Sequence, residues 1–78
     1  MSGDLHPATR ALLRYFAWEH LPPRLQEVSA PIGILAQSMA ERLPQGPELT
    51  TGLRKLLEAK DCLVRAALDA PREEAPGG

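Results

Sequence analysis

Prolines constrain the fold of this 78-residue chain more than any other feature of its sequence. They mark breaks at residue 7, at residues 22–23, at residues 44–47 and at residue 71. A proline fits the first turn of a helix, where its missing N–H costs nothing, but it stops a helix that reaches it. We therefore expect three helices, which begin at Pro7, Pro23 and Pro47.

Between these breaks the apolar residues recur every three or four positions, which is the spacing of one helix face. Helix 1 is predicted from about Pro7 to about Glu19, helix 2 from Pro23 to about Leu43 and helix 3 from Pro47 to about Ala70. The predicted seam residues are Ala8, Leu12, Tyr15 and Phe16 in helix 1, Leu25, Val28, Ile32, Leu35 and Met39 in helix 2, and Leu49, Leu53, Leu56, Leu63 and Ala67 in helix 3.

The turn between helices 2 and 3 is short, so the predicted fold is all-α, an antiparallel helical hairpin with a short N-terminal helix. Helix 1 is expected to pack on this hairpin or on a neighbouring copy. The predicted domain spans residues 7–70, with a flexible N-terminus at 1–6 and a disordered tail at 71–78. So small a domain buries a modest core, and its lone cysteine, Cys62, is expected to act as a small hydrophobe. Oligomerisation is the remaining means of stabilisation.

Pro31 lies inside the helix 2 pattern. It removes the hydrogen bond to the carbonyl of Glu27 and is expected to kink the helix there. Alternatively, Ser29 caps a fresh start, with Pro31 in its first turn.

The charges of the chain nearly cancel, since nine basic and ten acidic residues give a net charge of −1. Such a chain gains little from counterion release, so we expect no DNA partner. It has neither an apolar run of membrane length nor a signal-peptide pattern, so we expect no membrane partner and a cytoplasmic location. A nucleophile–base pair, a Gly-rich phosphate loop and clustered metal ligands are missing from the sequence. We therefore expect no enzymatic activity, cofactor or metal.

The aromatic residues are concentrated near the end of helix 1, as Tyr15, Phe16 and Trp18, with His20 close behind. We interpret Tyr15 and Phe16 as the half that packs on the core, and Trp18 and His20 as the exposed half. An exposed indole is either an oligomer contact or a surface on which a base stacks. His20 is expected to meet a phosphate or, more commonly, a carbonyl at the helix end.

Several cations are candidates for binding a phosphate. Arg14 shares a face with Trp18, and Arg24 follows the double proline; either is otherwise an ordinary surface arginine. Lys60 falls in the apolar seam of helix 3. There it either fixes the register of helix packing or extends its amine outward to solvent; alternatively, it faces a phosphate. Arg54 and Arg65 belong to a ladder of alternating charges on helix 3, expected to form weak pairs.

Three stretches carry a resemblance to a known family: HPATRALL at residues 6–13, FAWEHLP at 16–22 and GLRKLLEAKDCLVRA at 52–66. They resemble the small phage hairpin-domain proteins grouped with the anti-CBASS and anti-Thoeris cyclic-nucleotide sponges, in the branch common in actinobacterial phages and prophages. The resemblance covers nearly the whole chain except its two ends, and residues 52–66 are its most specific part.

The resemblance implies a compact helical hexamer in the cytoplasm of an infected or lysogenic bacterial host. Such proteins bind cyclic di- or trinucleotide second messengers, or cyclic ADP-ribose isomers, without cleaving them, so that the host effector is never activated. The resemblance also implies that Trp18 stacks on the nucleobase. A lysine on helix 2 of the sponges corresponds to a position near Ala30, where this sequence has no lysine. Arg24, Lys60 or an arginine of another subunit would then supply the charge, and Arg54 corresponds to a second, trinucleotide pocket.

The sequence therefore predicts a phage-type sponge for a cyclic nucleotide signal, with candidate ligand residues Arg14, Trp18, His20, Arg24, Arg54, Lys60 and Arg65. The alternative is a small helical adaptor that binds a protein and no nucleotide. A nucleic-acid-binding regulator ranks third, because the chain is nearly neutral.

Overall fold

The structure is a computed structural model that describes residues 5–70, and the regular structure in this range is entirely helical. Helix α1 spans Pro7–Leu13 and a 3₁₀ turn spans Arg14–Phe16. Helix α2 spans Pro23–Arg42 and α3 spans Pro47–Asp69. The predicted all-α class is confirmed. The disordered tail and most of the flexible N-terminus expected from the sequence lie outside the described residues.

The three helix starts lie where the prolines predicted them. Pro7, Pro23 and Pro47 each occupy the first turn of a helix. At α1 the N-cap is His6, whose Nδ1 accepts a hydrogen bond of 3.0 Å from the backbone N–H of Ala8. This bond satisfies one of the amides that every helix leaves unpaired at its start.

Helices α2 and α3 pack against each other as a hairpin, and α1 with the 3₁₀ turn lies against both. The side chain of Gln45, in the connecting turn, ties these parts together. Its Oε1 accepts from the N–H of His6 at 3.0 Å, and its Nε2 donates to the carbonyl of Ala40 at 3.0 Å. One amide side chain therefore joins the start of α1 to the end of α2. The buried core between the helices consists of Phe16, Ala36, Ala40, Leu49 and Leu53.

The prediction that helix 1 continues to about Glu19 is wrong. The α-helix ends at Leu13, and after the 3₁₀ turn Ala17 adopts extended backbone angles of φ −62° and ψ 141°. The reason is a close approach to α2: the carbonyl oxygen of Phe16 lies 2.7 Å from where a Cβ atom of Gly33 would stand. Tertiary packing here overrides the helical pattern, because the chain must cross α2 at its glycine.

The buried face of α2 also differs from the predicted seam. It consists of mostly small residues, namely Leu25, Ser29, Gly33, Ala36 and Ala40. Of the predicted seam only Leu25 is buried, while Val28, Ile32 and Met39 are half-buried and Leu35 is 46 % exposed. Small side chains let the neighbouring backbones approach closely, and this approach decides which face is covered.

Helix α2 runs through Pro31 without interruption. Pro31 lies on the exposed side, and Ser29 is fully buried in the helix interior. The alternative in which Ser29 caps a second helix is therefore wrong.

Candidate functional site

A cleft of about 370 Å³ lies between the segment that follows α1 and the second half of α3. Its volume falls within the roughly 300–1,000 Å³ of small-molecule sites. Its walls are formed by Arg14, Tyr15, Ala17, His20 and Leu21 on one side and by Lys60, Asp61, Val64 and Arg65 on the other. Four of the seven sequence candidates, Arg14, His20, Lys60 and Arg65, thus meet in one place, although the sequence separates them by up to 51 positions.

The charge of the cleft is predominantly positive. Arg14, Lys60 and Arg65 contribute three basic side chains to the lining, whereas Asp61 is its only carboxylate. A groove lined by one sign of charge concentrates ligands of the opposite sign. The electrostatics of this cleft therefore favour an anion, even though the whole chain is close to neutral.

Lys60 is the most enclosed cation of the cleft, since its side chain is only 13 % exposed. Its Nζ lies 3.0 Å from Oδ1 of Asp61, whose side chain is 48 % exposed. Pairing offsets part of the cost of enclosing an ammonium group among apolar side chains. The amine is thus held at the wall of the cleft, at a position that the sequence placed in the seam of α3.

The two arginines of the cleft keep donors that no residue between 5 and 70 engages. Arg65 donates from Nη2 to Sγ of Cys62 at 3.3 Å, and sulfur is a weak acceptor. In the described part of the chain, Arg14 has no carboxylate within 4 Å and no side-chain hydrogen bond. Planar guanidinium groups with spare donors suit bidentate contacts to a phosphate. Cys62 itself is a free, exposed cysteine.

Tyr15 is a cleft residue that sequence reasoning missed. It was predicted to pack on the core, yet it is 61 % exposed, and only its neighbour Phe16 is buried, at 2 % exposure. The change from α-helix to 3₁₀ turn between Leu13 and Phe16 rotates Tyr15 out of the expected stripe. Its position directly after Arg14 is the only local signal that could have placed it in the cleft.

Trp18 does not line the cleft, and its prediction as an exposed side chain is wrong. It is half-buried, and its ring atoms Cε3 and Cζ3 lie 2.6 Å from where a Cβ of Gly33 would stand. Its other surface borders a shallow groove of about 310 Å³ with Ile34, Gln37, Ser38 and Glu41. The indole is thus a packing residue toward α2, and the groove that it borders shares no lining residue with the cleft.

Arg24 and Arg54 also lie outside the cleft. The Nη2 of Arg24 donates to the carbonyl oxygen of Ala67 at 2.7 Å, in the last turn of α3. This contact satisfies a carbonyl that the helix end leaves unpaired. Arg54 is exposed, six residues before Lys60 on α3, and takes no part in the cleft lining.

The predicted ladder of charge pairs along α3 is not formed. Within residues 5–70 the one ion pair joins Lys60 to its immediate neighbour Asp61, and none joins Asp61 to Arg65 or Arg54 to Glu58. The arginines on this face are therefore not neutralised by the acids three or four positions away.

Two further properties of the described residues concern possible ligands. The part of the chain from 5 to 70 holds no group of three or more His, Cys, Asp or Glu side chains that could bind a metal ion. None of its helices is both long enough and apolar enough to cross a membrane.

Comparison of the chain with protein-family models, with curated proteins and with solved structures finds no match. The resemblance to the phage cyclic-nucleotide sponges therefore rests on the three stretches at residues 6–13, 16–22 and 52–66 alone.

Proposed function

We propose that the cleft between the segment after α1 and the second half of α3 binds a cyclic nucleotide signal and sequesters it without cleavage. The observation that carries this proposal is the convergence of Arg14, Lys60 and Arg65 beside the exposed ring of Tyr15. Cations that bind phosphate, next to a flat ring that stacks on a base, form the two halves of a nucleotide site.

Each half has a separate role. The guanidinium groups of Arg14 and Arg65 reach the phosphates by charge-assisted hydrogen bonds, and Lys60 adds a point charge from the wall. Tyr15 stacks on a base, a contact worth about 1–3 kcal/mol. His20 borders the same space and offers a further donor. Trp18, which the family resemblance assigns to stacking, is the alternative ring, reached through the groove beside Ile34.

Cyclic di- or trinucleotides and cyclic ADP-ribose isomers are the ligands that we propose, because they combine phosphates with a planar base. The lining residues serve to hold these two groups, so we propose sequestration rather than turnover. The setting is the cytoplasm of an infected or lysogenic bacterial host, where sequestration keeps an immune effector from being activated.

The homo-oligomer expected from the sequence, a hexamer, remains part of the proposal. A cleft that faces solvent in one chain excludes water when a neighbouring subunit covers it. Exclusion of water lowers the local dielectric constant and strengthens each cation–phosphate contact. A covered cleft thus suits a protein that must retain a ligand rather than release it.

Isothermal titration calorimetry of the purified protein against a panel of cyclic di- and trinucleotides and cyclic ADP-ribose isomers tests the proposal. We expect tight binding to at least one of them. The absence of binding to every member, by a protein whose circular dichroism is fully helical, would falsify it.

A second candidate function is a protein-binding adaptor, favoured by the exposed apolar side chains. Tyr15, Ile34 and Leu68 are 61 %, 58 % and 55 % exposed. Purification with a stoichiometric protein partner, and without nucleotide, would support the adaptor and oppose the sponge.

A further inference from the structure

Asp61 differs from the other charged residues of the cleft, because it is the only carboxylate in the lining. Its side chain is 48 % exposed, and the Nζ of Lys60 contacts one of its oxygens, Oδ1, at 3.0 Å. A negative charge at this wall opposes the phosphate binding that the three basic side chains favour. The carboxylate offsets that cost when it accepts a hydrogen bond from the ligand.

The pairing with Lys60 does not occupy the whole carboxylate. No donor between residues 5 and 70 forms a hydrogen bond with the other oxygen, Oδ2. Arg65 lies four positions after Asp61, a spacing at which helical ion pairs form, yet its Nη2 donates to Sγ of Cys62 instead. Asp61 therefore keeps a free acceptor at the wall of the cleft.

The neighbours of Asp61 on α3 provide the other contacts that a nucleotide needs. Asp61, Val64 and Arg65 share one face of the helix by three-and-four spacing, and all three line the cleft. Val64 is half-buried and offers an apolar surface, and the opposite wall contains the ring of Tyr15. A planar base that packs on Val64 has a carboxylate and a guanidinium within about one helical turn of it.

We propose that Asp61 selects guanine over adenine in the nucleotide that this cleft binds, an inference that rests on the proposed function. A carboxylate only accepts hydrogen bonds, so its partner must be a donor. The Watson–Crick edge of guanine presents two adjacent donors, N1–H and the N2 amino group. The same edge of adenine presents its N6 amino group beside N1, an acceptor whose lone pair repels a carboxylate. Asp61 thus favours guanine by attraction and opposes adenine by repulsion.

The ribose hydroxyls are the other donors that a nucleotide offers to a carboxylate. They are present whichever base the nucleotide carries, so a contact between Asp61 and a ribose produces no preference for one base. The dependence of affinity on the base therefore distinguishes the two contacts.

Calorimetric titration with matched cyclic di- and trinucleotides that carry only guanine, only adenine or only hypoxanthine tests the inference. Hypoxanthine keeps the N1–H of guanine and lacks its N2 amino group. We expect the wild type to bind the guanine ligand about 10- to 150-fold more tightly than the adenine ligand, the value of a hydrogen bond to a charged group. The hypoxanthine ligand should fall between them.

Asp61→Asn should remove this preference, because the amide replaces one acceptor by a donor. Its affinity for the guanine ligand should fall and its affinity for the adenine ligand should rise. A carboxylate that acted only through its charge would instead change all three affinities by the same factor. Asp69→Asn is the matched control, since Asp69 is exposed on α3 and does not line the cleft, and its ratio of affinities should equal that of the wild type.

The possible failures of the inference and of the proposed function are distinct. Tightest binding of an adenine ligand, a cyclic ADP-ribose isomer included, overturns the selection of guanine and leaves sequestration intact. So does an Asp61→Asn variant that keeps the wild-type ratio. Equal affinities of the wild type for the guanine and hypoxanthine ligands also overturn it, a result that requires no variant to fold. Binding of no cyclic nucleotide at all rejects the proposed function and the inference together.

Discussion

The indole of Trp18 lies directly over Gly33: a Cβ atom at residue 33 would stand 2.6 Å from both Cε3 and Cζ3 of the ring. Real Cβ contacts are essentially never that short. The glycine thus creates the space in which the segment after α1 crosses α2. This crossing separates the two rings, with Tyr15 at the cleft and Trp18 against the helix.

The first prediction concerns this crossing. Gly33→Ala should destabilise the chain by about 1–3 kcal/mol, because an added methyl group in a packed site forces neighbours to move. The carbonyl of Phe16, at 2.7 Å, is backbone and yields less easily than a side chain. Urea denaturation at a fixed protein concentration measures the free energy of unfolding.

Gly52→Ala is the matched control for that substitution. Gly52 is also inside a helix, but it has open space around its Cα, so alanine should stabilise the chain by about 0.5–1 kcal/mol. An equal loss of unfolding free energy in both variants would contradict the close approach at Gly33.

The second prediction separates packing from ligand binding. Tyr15→Ala should leave the free energy of unfolding nearly unchanged, since the ring is 61 % exposed, and should weaken nucleotide binding about 5- to 150-fold. Trp18→Ala should lower stability by about 1–3 kcal/mol, because its half-buried ring packs on α2. Calorimetry gives the nucleotide affinity of each variant, and urea denaturation gives its free energy of unfolding. If Trp18→Ala abolishes binding in a stable protein and Tyr15→Ala does not, the stacking ring is Trp18.

A third prediction uses two arginines on the same helix. Arg65→Ala should weaken nucleotide binding roughly 10- to 100-fold, the value of a lost hydrogen bond to a charged group. Arg54→Ala should have little effect, because Arg54 lies outside the cleft. Calorimetric titration of both variants provides the comparison. A larger loss for Arg54 would place the ligand on the other part of α3, as the family resemblance suggests for trinucleotides.

The fourth prediction concerns Arg24, whose guanidinium holds the last turn of α3. Arg24→Met keeps most of the apolar stem and removes the 2.7 Å hydrogen bond to Ala67, so the cost should be about 1–2 kcal/mol. Hydrogen exchange should accelerate at the amides near the end of α3, with nucleotide affinity retained. Unchanged exchange there, together with lost affinity, would make Arg24 a ligand residue instead.

How much of the fold followed from the sequence depended on how local the signal was. The helix starts at Pro7, Pro23 and Pro47 were predictable, because proline acts on its own φ angle and on the residue before it. The end of α1 was not, since it depends on Gly33, which is distant in sequence but adjacent in space. The buried face of α2 was not predictable either. A hydrophobic pattern favours burial of Leu35 over Ala36, whereas the close approach of the backbones buries Ala36 and leaves Leu35 exposed.

The residues of the candidate site show the same difference between local signals and tertiary ones. Arg14, Lys60 and Arg65 were identifiable as candidates from their positions on predicted helices, and His20 from its position just after helix 1. That they share one cleft required the tertiary arrangement of α1 and α3. Tyr15 was misplaced because the 3₁₀ turn changes its direction, and Arg24 because its carbonyl partner is 43 residues away.

The most direct test of the central claim is recovery of intact ligand from the protein. The chain is mixed with each cyclic nucleotide of the panel, freed of unbound ligand by gel filtration and denatured, and the released nucleotide is identified by mass spectrometry. We predict that one cyclic nucleotide is retained in stoichiometric amount and released with its mass unchanged. Retention of none of them by folded protein, or release of a linear product, would contradict sequestration in the cleft.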